Sequence, residues 1–335
     1  MNADKNTDKV LGRIESGIFG KDDLVAALSL KGAHQGRLFA FARSKRSEFF
    51  PGRAVEVRSV IEVSNICERK CAYCGIHSQT SRFTIGEDRL VDIARHIYSF
   101  GRRVLLIQSG ENTGDGYIGL VSSGIMAVKK EFPDLVIILC LGDLSVDQYK
   151  RLKASGAERY ILKFETSNPD LYSRIKPGDT LMQRVRSLEN IIELGFETGT
   201  GNIVGLPGQT KEDLAGDLLF IGGFKLAMAS CSVFIPGKGS EMEAEVPGDI
   251  DTALNYMALQ RIMYPHLLIP TTSSLEKAGA GGQYLGLMAG ANTVTIHDGT
   301  PKDLEGYFPI YSSDRFRPDR EHIASIVQRA GLSLP

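Results

Sequence analysis

The sequence has no surplus of either charge: 39 Lys and Arg stand against 40 Asp and Glu in 335 residues, a net charge of −1. Without a basic excess it lacks the electrostatic means to hold nucleic acid or an anionic membrane, so a small-molecule substrate is the expected partner. Long apolar runs are missing too. No uninterrupted stretch approaches the ~18 residues of a membrane span, and the opening MNADKNTDKV is polar and charged, without the apolar core of a signal peptide. A cytoplasmic protein is expected. Cysteine is scarce, five residues in all, and in a reducing compartment so few, clustered as they are, suggest metal ligation rather than disulfides.

What the chain does have is one repeated alternation. Short apolar runs that read as buried strands cover positions 57–64, 104–109, 135–140, 159–165, 198–205, 227–235, 267–272 and 292–297. Between them lie segments of helical spacing, such as Leu90, Ile93 and Ile97, or Leu181, Val185, Leu188, Ile191 and Ile192. Ser145 with Gln148, and Thr210 with Asp213, have capping-box spacing ahead of apolar runs. Strands alternating with helices call for parallel pairing and right-handed crossovers. Eight such units predict an α/β chain folded as a (β/α)8 TIM-type barrel; an open doubly wound sheet is the alternative. Residues 1–50, with Val10, Leu11, Ile14 and Ile18 at helical spacing, predict a helical extension. Residues 51–335 are expected to form the barrel and its C-terminal helix.

Three of the five cysteines crowd into CERKCAYC, positions 67–74, directly after the apolar run RSVIEVSNI. In a parallel barrel the chemistry sits at the C-terminal ends of the strands, and Cys67, Cys71 and Cys74 follow the first strand there. With His77 they have the donor set of a tetrahedral zinc site. Alternatively, three thiolates hold a four-iron four-sulfur cluster and leave one iron open, which is a catalytic position.

The C-x3-C-x2-C pattern, with Tyr73 just before its last cysteine, resembles the signature of radical S-adenosylmethionine (radical SAM) enzymes. In that family the amino and carboxylate groups of SAM chelate the open iron, and an electron from the cluster yields a 5'-deoxyadenosyl radical. Later segments resemble the family's SAM-binding elements in order. In SGEN, Gly110 and Glu111 match the element that meets the SAM amino group; in LKFETSN, Lys163 and Glu165 match a polar strand-end position facing ribose and methionine. Arg184 matches an arginine reaching the SAM carboxylate, and Ile203 in GTGNIVGLPG an isoleucine packed on adenine. A zwitterionic sulfonium does need a carboxylate, a guanidinium fork and an apolar wall. The resemblance covers the chain from about residue 50 onward. It is strongest to the biotin synthase-like group, in its core strands to the hydrogenase maturases of the HydE type and in its last fifty residues to methylornithine synthases. It implies one 4Fe–4S cluster, SAM, anaerobic chemistry, a reductase such as flavodoxin or ferredoxin, and, for a maturase, a partner that receives the product.

Biotin synthases draw sulfur from a second cluster, and the positions of its ligands fall here on Gln108, Gly199 and Leu275, with Cys140 near but not on the remaining one. Sulfur insertion is therefore not expected. Cys140 reads as strand core. The ends of strands six to eight offer Cys231, Thr271, Thr272, Ser273, Ser274, His297 and Asp298 to a substrate. Of these, Cys231, His297 and Asp298 are the catalytic candidates, although Cys231 also reads as a buried structural thiol and His297 as a loop tie.

Overall fold

A computed structural model describes residues 2–79, 81–304, 306–310 and 318–334, with side chains from residue 4 onward. Three helices come first: α1 (Asn2–Ser16), α2 (Lys21–Ala27) and α3 (Gly32–Phe49). Strands and helices then alternate: β1 (Glu56–Ser64), α4 (Glu87–Ser99), β2 (Val104–Ser109), α5 (Asp115–Glu131), β3 (Val136–Cys140), α6 (Val146–Ala154), β4 (Arg159–Ile161). There follow α7 (Pro169–Ile175), α8 (Leu181–Glu193), β5 (Glu197–Val204), α9 (Lys211–Ile221), β6 (Met228–Val233), α10 (Ile250–Met263) and β7 (Pro270–Thr271). The chain finishes with α11 (Ser273–Ala278), α12 (Gly282–Met288), β8 (Thr293–Ile296) and α13 (Arg320–Arg329).

All eight strands pair in parallel, in the order β6-β5-β4-β3-β2-β1-β8-β7. Between β6 and β7 a single bridge from Met228 to Leu268 narrows the remaining gap, so the sheet is a nearly closed barrel rather than the open sheet of the alternative. Side chains alternate across each strand. On the inward face Val60, Leu106 and Ile138 sit side by side in register and form an apolar middle layer with Val104 and Met228. One step nearer the C-terminal rim the register aligns Glu62, Gln108 and Cys140, so the lining turns polar there. Outward residues such as Ile61, Ile107 and Leu139 join the larger core between the strands and the helices.

Both expected capping boxes are formed, at the starts of α6 and α9, where Ser145 and Thr210 accept from the N3 backbone amide. Two expected strands are cut short. The fourth ends at Ile161, the pairing lapsing at 162–164 before Glu165 bridges back to Asn202 of β5, and the seventh keeps only Pro270 and Thr271. Val10, Leu11 and Ile14 are buried as their spacing requires, but Ile18 is exposed, because α1 stops at Ser16 and Gly17 reverses the chain at φ +73°.

The leading helices are tied to the barrel by buried polar groups. Asn255 of α10 donates to the carbonyls of Leu28 and Leu30 and accepts from Gln35. Arg43 and Arg46 of α3, with Arg261 of α10, donate to the carbonyls of Met288, Leu287 and Gly290. These cations sit at the C-terminal end of α12, where the helix dipole favours them, and they fix the turn that leads into β8. No helix among the described residues is long and apolar enough to cross a membrane.

Replacing Asn255 with Ala leaves two buried carbonyls without a donor, so Asn255→Ala is expected to lose about 2 kcal/mol of stability. Thr210→Ala removes one exposed cap and is expected to lose about 1 kcal/mol. Urea midpoints compare the two; a loss for Asn255→Ala no larger than that for the cap variant contradicts this account of how the helices are held.

Candidate functional site

The chain leaves β1 as a loop that carries the three cysteines, and neighbouring segments fasten that loop by their backbones. Glu68 N donates to Glu111 O at 2.8 Å, Ala72 N to Ile175 O at 2.9 Å and Met242 N to Ala72 O at 3.0 Å. Two glycines permit the contact. A Cβ on Gly110 would stand 2.4 Å from Ile66 O and 2.7 Å from Cys67 Cβ, and one on Gly237 would meet Gly75 N and Tyr73 O at 2.6 and 2.7 Å. Neither site admits a side chain.

Cys67, Cys71 and Cys74 are all free thiols. The Glu111 amide donates to Cys67 Sγ at 3.3 Å. Burial pushes the Cys71 thiol up, with Lys176 opposing, and pushes Cys74 up to about 12. Thiols so placed give up their protons only to a cationic centre. Among the described residues no three of His, Cys, Asp and Glu converge closely enough to share a single ion. Cys67, Cys71, Cys74 and His77 are thus not gathered as a preformed single-ion site among the described residues. The donor set and the side-chain-free cradle fit a cluster of the 4Fe–4S type.

Two groups of charges flank the loop. In the first, Tyr73 OH donates to Glu165 Oε1 at 3.0 Å and Lys163 Nζ stands 3.1 Å from Glu165 Oε2. Burial disfavours the Glu165 charge, but Lys163 and Lys176 outweigh it and hold the carboxyl below its ordinary range. Glu165 adopts φ +63°, a left-handed conformation costing on the order of 1 kcal/mol for a residue with a side chain. It is held there by Glu165 N donating to Gly201 O and by Ile203 N donating to Glu165 O. Beneath the turn, Asp217 of α9 accepts from Ser167 N, Ser167 Oγ and Asn202 Nδ2, and burial raises its pKa to about 6.

The second group surrounds Arg184, which the resemblance matched to an arginine reaching the SAM carboxylate. It is buried, and its Nη2 is 3.0 Å from Asp179 Oδ2 and 3.6 Å from Glu111 Oε2, while Nε is 3.0 Å from Tyr172 OH and 3.9 Å from Asp143 Oδ2. Arg69 pairs with the other oxygen of Glu111. Tyr172 of α7, Asp217 of α9 and the loop residues Arg69, Asp143 and Asp179 were not singled out in the sequence, and only the tertiary fold brings them to the site.

Beneath the cysteine loop lies a cavity of about 180 Å³ whose lining includes Tyr73, Lys163, Ile203 and His297. Ile203 packs with Ala72, Leu206 and Phe234, which makes an apolar wall beside the loop. Five expectations are corrected here. Cys231 does not reach the cavity: Ser230 and Ser232 line it, while the Cys231 thiol between them points outward, 3.7 Å from Ala253 O of α10. Asp298 turns outward as well, with Oδ2 3.8 Å from Arg102 Nε. Cys140, expected in strand core, instead faces the cavity. Thr272 and Ser273 line it, but Thr271 and Ser274 serve as ties, the first donating to Gln283 O and the second accepting from Val233 N. His297 does line the cavity, with Nδ1 2.7 Å from Glu62 Oε1.

Residues 61–221 match the model of the Radical SAM superfamily. The chain is 33% identical over 310 residues to the FeFe hydrogenase maturase subunit HydE of Thermotoga maritima, covering 90% of this chain and 87% of that protein. It is 26% identical over 327 residues to 3-methylornithine synthase of Methanosarcina acetivorans, covering 94% and 89%. The crystal structure of methylornithine synthase (PylB) superposes with a TM-score of 0.84 at 25% identity, over 97% of each chain.

Because Arg184 neutralises buried Asp179, Arg184→Ala is expected to lose about 3–5 kcal/mol. Adding Asp179→Asn should recover part of that loss. A double-mutant cycle in urea measures the coupling; strictly additive losses contradict the pairing.

Proposed function

Since the chain belongs to the radical SAM superfamily, we propose that it is an enzyme that cleaves SAM reductively and acts on a small molecule held in the barrel. When bound, a 4Fe–4S cluster and SAM, given one electron by a donor such as flavodoxin or ferredoxin, supply a 5'-deoxyadenosyl radical. The observation that carries the reading is the loop of Cys67, Cys71 and Cys74, pinned at the C-terminal rim between two groups of paired charges.

In this reading the three thiols ligate the cluster. Glu111 receives the ammonium of SAM, and Arg184 receives the carboxylate while its own acids hold the guanidinium in place. Tyr73, Lys163 and Glu165 fix the ribose and methionine portion, Gly110 lets the backbone approach, and Ile203 walls the adenine. The apolar middle layer, Val60, Leu106 and Ile138, keeps water from the substrate, so a carbon radical abstracts only the hydrogen set before it. Setting ligands on a pinned loop rather than a mobile one lowers the reorganisation that binding demands.

HydE-like maturase chemistry is favoured by the 33% identity along nearly the whole chain. Such an enzyme passes its product to a maturation partner. A carbon-skeleton mutase acting on a free amino acid is the second reading, favoured by the close superposition on methylornithine synthase. In either case a cytoplasmic, anaerobic setting suits the chemistry.

Anaerobic reconstitution with iron and sulfide, reduction with dithionite and addition of SAM are expected to yield a brown protein that forms 5'-deoxyadenosine. A panel of small amino acids separates the two readings: stimulation by lysine favours the mutase, and no stimulation by any favours the maturase. Cys71→Ala is expected to abolish cleavage. A Cys71→Ala protein that still makes 5'-deoxyadenosine overturns the ligand assignment.

A further inference from the structure

The segment KPGD, residues 176–179 between α7 and α8, puts a buried cation where SAM binding does not call for one. Helix α7 ends at Ile175 because Pro177 disfavours helical backbone in the residue before it, and Lys176 leaves the helix at φ −130°, ψ 70°. Pro177 and Gly178, the latter at φ +81°, then fill the two central positions of a tight turn, closed by Asp179 N donating to Lys176 O at 3.1 Å. The turn folds the acid back on the base, with Lys176 Nζ 3.5 Å from Asp179 Oδ2. Both residues are buried, each at 6% exposure.

The residue before Lys176 fixes where its ammonium sits. Ile175 O accepts from Ala72 N at 2.9 Å, so the last turn of α7 is fastened to the cysteine loop right beside Cys71. The charge acts on what lies around it. Burial pushes the Cys71 thiol up and Lys176 opposes the rise; beside Lys163, Lys176 also helps to hold the Glu165 carboxyl low against burial. Among the described residues Asp179 is the one carboxylate within ion-pair distance of Lys176, and that acid lies closer to Arg184 Nη2, at 3.0 Å. Much of the Lys176 charge is therefore left to act on the cysteine loop.

We propose that Lys176 biases a cluster held by Cys67, Cys71 and Cys74 toward its reduced form. The inference rests on the cluster reading of those cysteines. In the step, the donor, a flavodoxin or ferredoxin, is oxidised by one electron and the cluster is reduced by one. No bond forms or breaks and no proton moves, so the whole change is one added negative charge. A buried cation beside one of the ligands favours the more negative state, and salt screens a buried charge little. Because Lys176 acts through its field and not by ligation, its removal shifts a potential and leaves the ligand set intact.

The test is a redox titration of the reconstituted protein without SAM, followed by the visible absorbance of the cluster. At the wild-type midpoint potential, the ratio of reduced to oxidised cluster in Lys176→Met is expected to fall about tenfold, equivalent to about 59 mV for a one-electron couple. Lys176→Arg keeps the charge and is expected to keep the wild-type potential. Lys176→Gln, which stays polar, guards against a Met variant that fails to fold, and iron and sulfide content checks that every variant carries a whole cluster. A potential unchanged on removal of the charge overturns the proposal. So does an equal fall in Lys176→Arg, which assigns the effect to packing, or a difference that vanishes in high salt, which assigns it to the surface. A wild-type protein that takes up no cluster sinks the cluster reading and this inference with it, whereas a cluster whose potential is indifferent to Lys176→Met sinks this inference alone.

Discussion

Closure of a parallel sheet is the constraint on which the site depends. Parallel strands in register end on one rim, so residues far apart in sequence meet there once the barrel has nearly closed. The cysteine loop after β1, Glu111 after β2, Glu165 after β4 and His297 after β8 span some 230 positions of the chain and share one rim of the barrel. β1 is central to this because it pairs with β2 on one side and β8 on the other. The loop that leaves it is therefore flanked by both halves of the barrel. The glycine contacts at Gly110, Gly237 and Gly299 are the local expression of that crowding: backbone meets backbone where any side chain would hold the segments apart.

Within that frame the polarity is layered. The middle of the barrel is apolar, and the rim carries charges that are nearly all matched across elements: Glu165 with Lys163, Glu111 with Arg69 and Arg184, Asp179 with Arg184. Taking such groups out of water is expensive, and their pairing offsets the cost only where geometry is close. A set of fixed charges is nevertheless useful to a zwitterionic ligand, because dipoles and ions already oriented need not reorganise when it binds. The strained turn at Glu165 belongs to the same arrangement. A left-handed residue with a side chain persists because the backbone on both sides is bonded to β5, and Asp217 anchors the segment that follows.

Much of this was legible in the sequence. Runs of apolar residues at strand length, separated by helical periodicity, gave eight units and hence the barrel, and Ser145 and Thr210 marked helix starts because a hydroxyl three residues before a carbonyl-bearing side chain satisfies both exposed amides. The three clustered cysteines identified the rim position from which the chemistry starts. Where the reading failed, the reason was usually parity or partnership. The run at 159–165 read as a continuous strand from its apolar residues, yet the pairing lapses at 162–164 and returns only at Glu165, a break that apolar content does not mark. Ile18 kept helical spacing beyond the point where Gly17 ended the helix.

By itself, then, the sequence determined the periodicities, the caps and the spacing of Cys67, Cys71 and Cys74, since each depends on residues within a few positions of one another. Only the tertiary structure decided which way a strand residue faces and what it meets. Cys140 faces the cavity and Cys231 the helices because a strand's side chains alternate every residue, and the register that sets inside from outside is fixed by neighbouring strands. Arg184 became the buried centre of a group of acids because α7 and the loops after β2 and β3 converge on it. Glu62 met His297 across 235 positions because β1 and β8 are adjacent in a closed sheet, a neighbourhood that no local pattern encodes.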